Sequence, residues 1–322
     1  MNELKIQTFL TKDVPESIWK SYIENFNFVF NKSFDLDHFI NKYDSYSNNS
    51  YHSFLIARNK VVAATSIVPM KYWINKKKII VGLVVDLFVV KEHRKDPLII
   101  LKLYSELKKI IKNEISIVIA VPNINSVRYF LNILKFKQVG NLNYKIFPVN
   151  IGNISFNGNK LINKFSQLFS EIHFFINKIN SIFLVSEDKP KIYLDLNNKF
   201  LKNRFNGPYE NYCKENYRFN YRIEIENGTK TAYLIYFDFN GKPNFKALLY
   251  AVKFIKNKED IDLILYVGSL TFCQTLMLKV PKFLEPKALP FIYENINLSL
   301  SQLDIVDNFK NWDFSLINYD VR

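Results

Sequence analysis

Ile79-Ile80-Val81-Gly82-Leu83-Val84-Val85-Asp86-Leu87-Phe88-Val89-Val90, followed by Lys91-Glu92-His93-Arg94-Lys95-Asp96-Pro97, is the stretch that decides the fold. Its continuous β-branched run predicts a strand covered on both faces. From Pro97 the period changes: Ile100, Leu103, Tyr104, Leu107, Ile110 and Ile111 recur at i, i+3, i+4, i+7, i+10 and i+11, a helical stripe. Asp96 is the expected N-cap, with Pro97 at the first helical position, where no amide hydrogen is needed. A buried strand that delivers a cationic loop onto a helix N-terminus has the layout of a phosphate site.

Working outward, Leu4 to Leu10 reads as a strand, and 15–26 and 34–43 as helices, with Ile18, Tyr22 and Phe26 on one stripe. A polar loop at 46–50 leads to strands at 53–58 and 61–73, joined by an Asn59-Lys60 turn. Ile115 to Val121 and Tyr144 to Val149 complete an order β, α, α, β, β, β, α, β, α, β, which is that of a mixed α/β sheet. Residues 159–183 carry Leu161, Phe165, Leu168, Phe169, Ile172, Phe175, Ile176, Ile179 and Phe183 at helical spacing. The stripe reads as a core-facing connector. A membrane-surface helix is the alternative, because Lys160, Lys164 and Lys178 flank it. Beyond it, strands at 221–226 and 231–237 around Asn227-Gly228, a helix at 245–255, a strand at 261–267, a helix at 270–278 and a strand at 312–316 repeat the first half's order. The expected domains are 1–150, a connector at 151–190, and 191–322.

With 322 residues, 48% hydrophobic and 16% aromatic, the chain can bury two sizeable cores and is not a disordered protein. No signal peptide is read at the start, and Ile79 to Val90 is too short to span a bilayer, so a cytoplasmic protein without stable membrane insertion is expected. Cys213 and Cys273 alone make no disulfide framework, and His38, His52, His93 and His173 make no metal spacing with them. The net charge of +14 is spread along the chain without a basic arm or nucleic-acid motif, which suits polyanionic small substrates better than a nucleic acid.

Residues 1–150 resemble the GNAT acyltransferase superfamily. Val89-Val90-Lys91-Glu92-His93-Arg94-Lys95-Asp96-Pro97-Leu98 stands where that superfamily has V-x-P-x-x-R-G-x-G, and Pro122-Asn123-Ile124-Asn125-Ser126 to Leu134-Lys135-Phe136 stands where it has N-x-x-(A/S)…L-G-F. Phe200 to Tyr209 and Asn311 to Arg322 look like larger members that pair two GNAT-type domains, the second degenerate, and N-acylate dTDP-linked 3-amino-3,6-dideoxyhexoses in surface-polysaccharide (lipopolysaccharide O-antigen) synthesis. The resemblance implies acyl-CoA, as acetyl-CoA or 3-hydroxybutyryl-CoA, and a nucleotide-linked amino sugar as substrates, with no metal. A FemABX-like transferase using aminoacyl-tRNA shares the tandem fold, and a non-catalytic basic binding module is the third reading. The departures are chemical. The loop has no glycine, and the tyrosine that serves the superfamily as acid falls at Leu131, with Tyr129 nearby.

Acyl transfer to an amine develops an oxyanion, which backbone amides around Phe88 and Val89 are placed to receive. Arg94, Lys95, Asp96 and Leu98 would hold the carrier's diphosphate. Asn123, Asn125 and Ser126 either cap a helix or bond the pantetheine arm. Asp86 either orients or deprotonates the amine, or is a strand residue bonded to its surroundings. A base is dispensable if the amine titrates near about 7.7–8.0. Tyr129 is the candidate acid for the departing thiolate. Arg204, Asn206, Tyr209 and Tyr212 are the candidates for the nucleotide sugar, by bidentate pairing and ring stacking.

Overall fold

The computed structural model describes residues 4–44, 50–155, 158–180, 190–270, 272 and 274–319. They form two compact units, each discontinuous in sequence: residues 1–141, 191–204 and 287–311, and residues 142–190, 205–286 and 312–322.

The first unit is built on β1 (Leu4–Leu10), β2 (Tyr51–Ala57), β3 (Lys60–Ile74), β4 (Lys77–Val89), β5 (Ile117–Ala120) and β6 (Lys137–Asn141), with α1 (Glu16–Phe30), α2 (Leu36–Asp44) and α3 (Leu98–Ile111). The second takes β7 (Tyr144–Pro148), α4 (Ile151–Ser155) and α5 (Lys160–Asn180). The chain returns to the first for β8 (Ile192–Leu194) and α6 (Asn198–Arg204). In the second unit follow β9 (Glu210–Lys214), β10 (Tyr217–Glu226), β11 (Thr229–Phe239), α7 (Phe245–Lys258), β12 (Leu263–Val267) and β13 (Leu278–Lys279). Finally β14 (Pro290–Asn295) and α8 (Leu300–Val306) belong to the first.

The sheets run β1-β2-β3-β4-β5-β14-β6, with β8 on β3, and β13-β7-β12-β11-β10-β9. Each has one parallel pair, β4 with β5 and β11 with β12, in an otherwise antiparallel ladder. Each is completed by a strand from elsewhere in the chain. β14 sits between β5 and β6, while β7, which follows β6 directly, pairs with β12 and β13 in the second sheet. The expected contiguous split at residue 150 therefore gives way to a reciprocal exchange of strands.

One face of the first sheet carries an aromatic layer in which Trp19, Tyr22, Phe39, Tyr43, Phe54 and Phe88 interlock. The other carries an aliphatic core, Ile67, Ile100, Leu107, Ile111, Ile115 and Val118 among its members. Gly82 of β4 is needed there, because a Cβ would lie 2.7 Å from Ile67 Cγ2 and 3.0 Å from Ile115 Cδ1.

Several expectations are corrected. The first hairpin turns at Arg58-Asn59, whose φ of 49° and 61° match a type I′ turn. The described residues of 270–278 are not helical: Leu276 and Met277 are buried, and Leu278 pairs with Ile146. Trp312–Leu316 is not a strand: Trp312 and Ser315 stand in isolated bridges, that of Ser315 being to Gly268. α5 does not face a core with its stripe, since Ser166, Ser170 and Asn177 are its buried residues. The 46–49 part of the expected loop, Phe183, Cys273 and Asp320 lie outside the described residues, and Cys213 is exposed and free.

Candidate functional site

β4 pairs with β5 only from Val81↔Ile117 to Leu83↔Ile119. β5 ends at Ala120 while β4 runs on to Val89, so among the described residues Val84 to Val89 have no strand partner on that edge. On the opposite edge β4 stays bound to β3, with a bulge where Thr65 faces both Asp86 and Leu87, between Ala64↔Phe88 and Ser66↔Val85. Asp86 takes the strain of the bulge, at a left-handed φ of 54° that Asp tolerates better than most residues. Two parallel strands that part at a bulge present an edge of backbone amides to an open notch.

The Asp86 carboxylate does not point freely into that notch. Lys42 Nζ bonds Oδ1 at 2.6 Å and Tyr43 OH donates to Oδ2 at 2.8 Å, tying α2 to the bulge. Tyr22 OH lies 2.8 Å from Tyr43 OH, and burial pushes both phenols well above their ordinary range, so they remain protonated. Beside them His52 bridges Thr11 Oγ1 (2.9 Å) and Ser66 Oγ (2.8 Å), and burial pushes its imidazole down to about 3. Lys42 and Tyr43 are the members that sequence reasoning missed. They stand 44 and 43 positions from Asp86, and no local pattern links them to it.

The cationic loop follows directly. A 3₁₀ turn at Lys91–His93 is closed by His93 N–H to Val90 O and Arg94 N–H to Lys91 O, and Asp96 N–H donates to His93 O. Arg94 Nε donates to Val89 O at 2.8 Å, which clips the loop to the open end of β4 and leaves the terminal guanidinium nitrogens for an anion. α3 starts at Leu98 rather than Pro97, and Asp96 Oδ1 accepts the Leu98 N–H at 2.9 Å. The Leu98 amide is thereby engaged within the chain. Phe88's ring is core, and its backbone lies in the stretch of β4 beyond the β5 ladder.

After β5, Asn123 Oδ1 accepts from Asn125 N–H (3.0 Å), Ser126 N–H (3.0 Å) and Ser126 Oγ (3.1 Å). Capping thus accounts for Asn123, while the exposed Asn125 side chain is not drawn into it. The helix it opens passes into a π-turn at Tyr129–Ile133, closed by Leu134 N–H to Tyr129 O. Tyr129 and Leu131 both pack on the aliphatic core alongside Val84, Leu87 and Val89 of β4. Where the superfamily pattern has glycine, Lys135 adopts the glycine conformation, with φ 61°.

The four residues considered for an amino sugar stand in different local settings. Arg204 ends α6 in the first unit and is 7% exposed. Asn206 is exposed, Tyr209 packs edge-on against Phe205, and Tyr212 is engaged by α7, stacked on Phe219 with its hydroxyl 2.6 Å from Tyr250 OH.

The second unit repeats the layout. β11 pairs with β12 from Thr231↔Leu263 to Tyr233↔Leu265 and then bulges at Ile235, between Tyr221↔Leu234 and Asn220↔Tyr236. Here the notch is filled by the chain itself. Ser269 N–H donates to Phe314 O at 2.9 Å, Ser269 Oγ bonds Trp312 O, and Ser315 bridges Gly268. Burial first, and then negative charge that includes that of Asp313, raises the phenols of Tyr236 in β11 and Tyr266 in β12. Gly268, at φ 135°, permits this approach, because a Cβ would meet Phe314 O at 2.4 Å.

Solved structures share the overall fold of this chain. A GCN5-related N-acetyltransferase from Anabaena variabilis ATCC 29413 aligns at TM-score 0.56 and 15% identity, over 91% of this chain and 73% of its own. A conserved protein of unknown function from Enterococcus faecalis V583, described as a probable N-acyltransferase, aligns at 0.57 and 12%, over 92% and 73%. A GCN5-related N-acetyltransferase from Kribbella flavida aligns at 0.55 and 10%, over 91% and 72%. This chain has their fold. No family model matches it, and no curated protein does. Among the described residues, no group of three or more His, Cys, Asp or Glu could hold a metal ion.

Proposed function

We propose that the chain is an acyl-CoA-dependent N-acyltransferase whose reaction takes place in the notch between β4 and β5. The open β4 edge ending in the Arg94 loop is the observation that carries this reading, because a row of amides followed by a cation clipped to the strand's end is what a pantetheine arm and its diphosphate would require. The pantetheine arm lies along Val84 to Val89, with the CoA diphosphate at Arg94 and Lys95. The acceptor nitrogen attacks the thioester carbonyl, amides near Phe88 and Val89 stabilise the oxyanion, and the C–S bond breaks. The attacking nitrogen gives up its proton to water, and the thiolate takes one, for which Tyr129 is the donor to test. Asp86 acts as a positioning residue: with both oxygens engaged by Lys42 and Tyr43, it holds α2 against the bulge. Catalysis then rests mainly on orientation of an amine that is partly neutral at working pH.

For the acceptor, the reading is an amine on an anionic carrier, in the first instance a nucleotide-linked deoxyamino sugar of surface-polysaccharide synthesis. A charge of +14 favours a pair of polyanionic substrates. Arg204, Asn206 and Tyr209 remain its candidate contacts.

A free-thiol release assay crossing acetyl-, 3-hydroxybutyryl- and longer CoA thioesters with amino-sugar nucleotides tests both parts. Turnover with one such pair is the expected result. Transfer from aminoacyl-tRNA with no CoA released would overturn it in favour of the FemABX-like chemistry. Arg94→Ala should weaken CoA binding about tenfold in calorimetry, the loss of one charge-assisted contact.

A further inference from the structure

α5 carries its apolar residues on the outside. Leu161, Phe165, Leu168, Ile172, Phe175 and Ile179 are each between 42% and 63% exposed, while Ser170 and Asn177 are 1% exposed. The inward polar side is fixed by bonds within the second unit. Ser170 Oγ donates to Pro148 O and, at 2.7 Å, to Ser166 O. His173 Nε2 meets Leu276 O at 3.0 Å, and Thr275 Oγ1 donates to Asn177 Oδ1 at 2.7 Å. Rotating the helix to bury its stripe would break all of these, so the exposed stripe is the settled arrangement. A contiguous apolar band of this kind marks an interaction surface.

We propose that α5 docks flat on an anionic phospholipid surface, its stripe at the acyl boundary and its basic edge against the phosphates. At about 100° per residue, Lys160, Lys164 and Lys178 fall within roughly 40° of one another along one side of the stripe. Glu171 is the acidic residue of α5, and Lys256 pairs with it. The 21-residue helix is about 31 Å long. It is not apolar enough to cross a bilayer, and its polar side is already engaged by protein, so it lies in the interface. A second copy of the chain fits less well. Two such helices packed antiparallel through the stripe, about a two-fold axis, would set lysine edge beside lysine edge on chains of charge +14.

The test is vesicle flotation with the full chain, which reads binding without acyl transfer and so stands apart from the proposed activity. Wild type should float with phosphatidylglycerol-containing vesicles, float little with pure phosphatidylcholine, and be released by salt. The Lys160→Gln/Lys164→Gln/Lys178→Gln variant should lose roughly a hundredfold in partitioning. Phe165→Ser/Phe175→Ser changes only exposed side chains, so it should keep the wild-type thermal transition and fail to float. Three results would each overturn the proposal: no flotation of wild type on anionic vesicles at low salt, undiminished flotation of the double serine variant, or a dimer in light scattering that the double variant abolishes.

Discussion

At the scale of single residues, Asp86 and His52 show how the polar interior of the first unit is held. Asp86 combines a left-handed backbone with a nearly buried carboxylate that answers two donors. Asp86→Asn keeps the backbone preference but removes the charge and turns an amide NH2 toward one of those donors. The expected loss is about 3 kcal/mol in urea unfolding, because Lys42 loses this counter-charge. If turnover of that variant also kept its normal pH profile from 6 to 9, Asp86 would have no part as a base. His52 is neutral when folded, down to about pH 3, whereas an unfolded His takes up a proton near 6.5. The unfolded chain therefore binds more protons between these values. The stability that neutral His52 provides is complete above pH 6.5 and is lost as pH falls toward 3. Unfolding free energies at pH 7 and pH 4.5 should differ less in His52→Gln than in wild type.

At the scale of elements, what could be read from the sequence depended on whether the signal was local. β4, the Arg94 loop and α3 were legible because strand run, charge and helical period follow one another without a gap. The stripe of α5 was equally legible, yet periodicity reports that one face is apolar and not whether anything covers it. The π-turn at Tyr129–Ile133 escaped because residue counting assumes an α-helical period, and the extra residue shifts the face on which Tyr129 and Leu131 stand. Lys135 closes that turn in a conformation suited to glycine. Lys135→Gly should therefore stabilise the protein by about 1 kcal/mol, read as a higher midpoint in thermal unfolding. The candidate site was legible in part: the loop and its cations came from sequence, while Lys42 and Tyr43 reach Asp86 only through the fold. The surroundings of Arg204 and Tyr212 were not legible, for the converse reason. Nearness in sequence concealed that one ends a helix of the first unit and the other packs against α7 in the second.

At the scale of the whole molecule, the eight-stranded and six-stranded sheets each have one parallel pair in an otherwise antiparallel ladder, but they do not share one chemistry. The first has an open β4 edge, and the second has the corresponding position occupied by Trp312–Ser315. Calorimetry with coenzyme A should accordingly give one site per chain, and two sites would contradict a self-filled second notch.

The reciprocal placement of β7 and β14 also bears on how the protein is made. While the ribosome is still adding residues, β5 and β6 are out and have a vacant slot between them that only Pro290–Asn295 can fill. Until then the nascent first sheet presents two bare edges, a state prone to mispairing. A gene fragment ending at residue 150 would keep that slot empty and carry β7 with nothing to join. The remaining fragment would hold the mirror-image defect, so co-expression of the two halves should recover far more soluble material than expression of either alone.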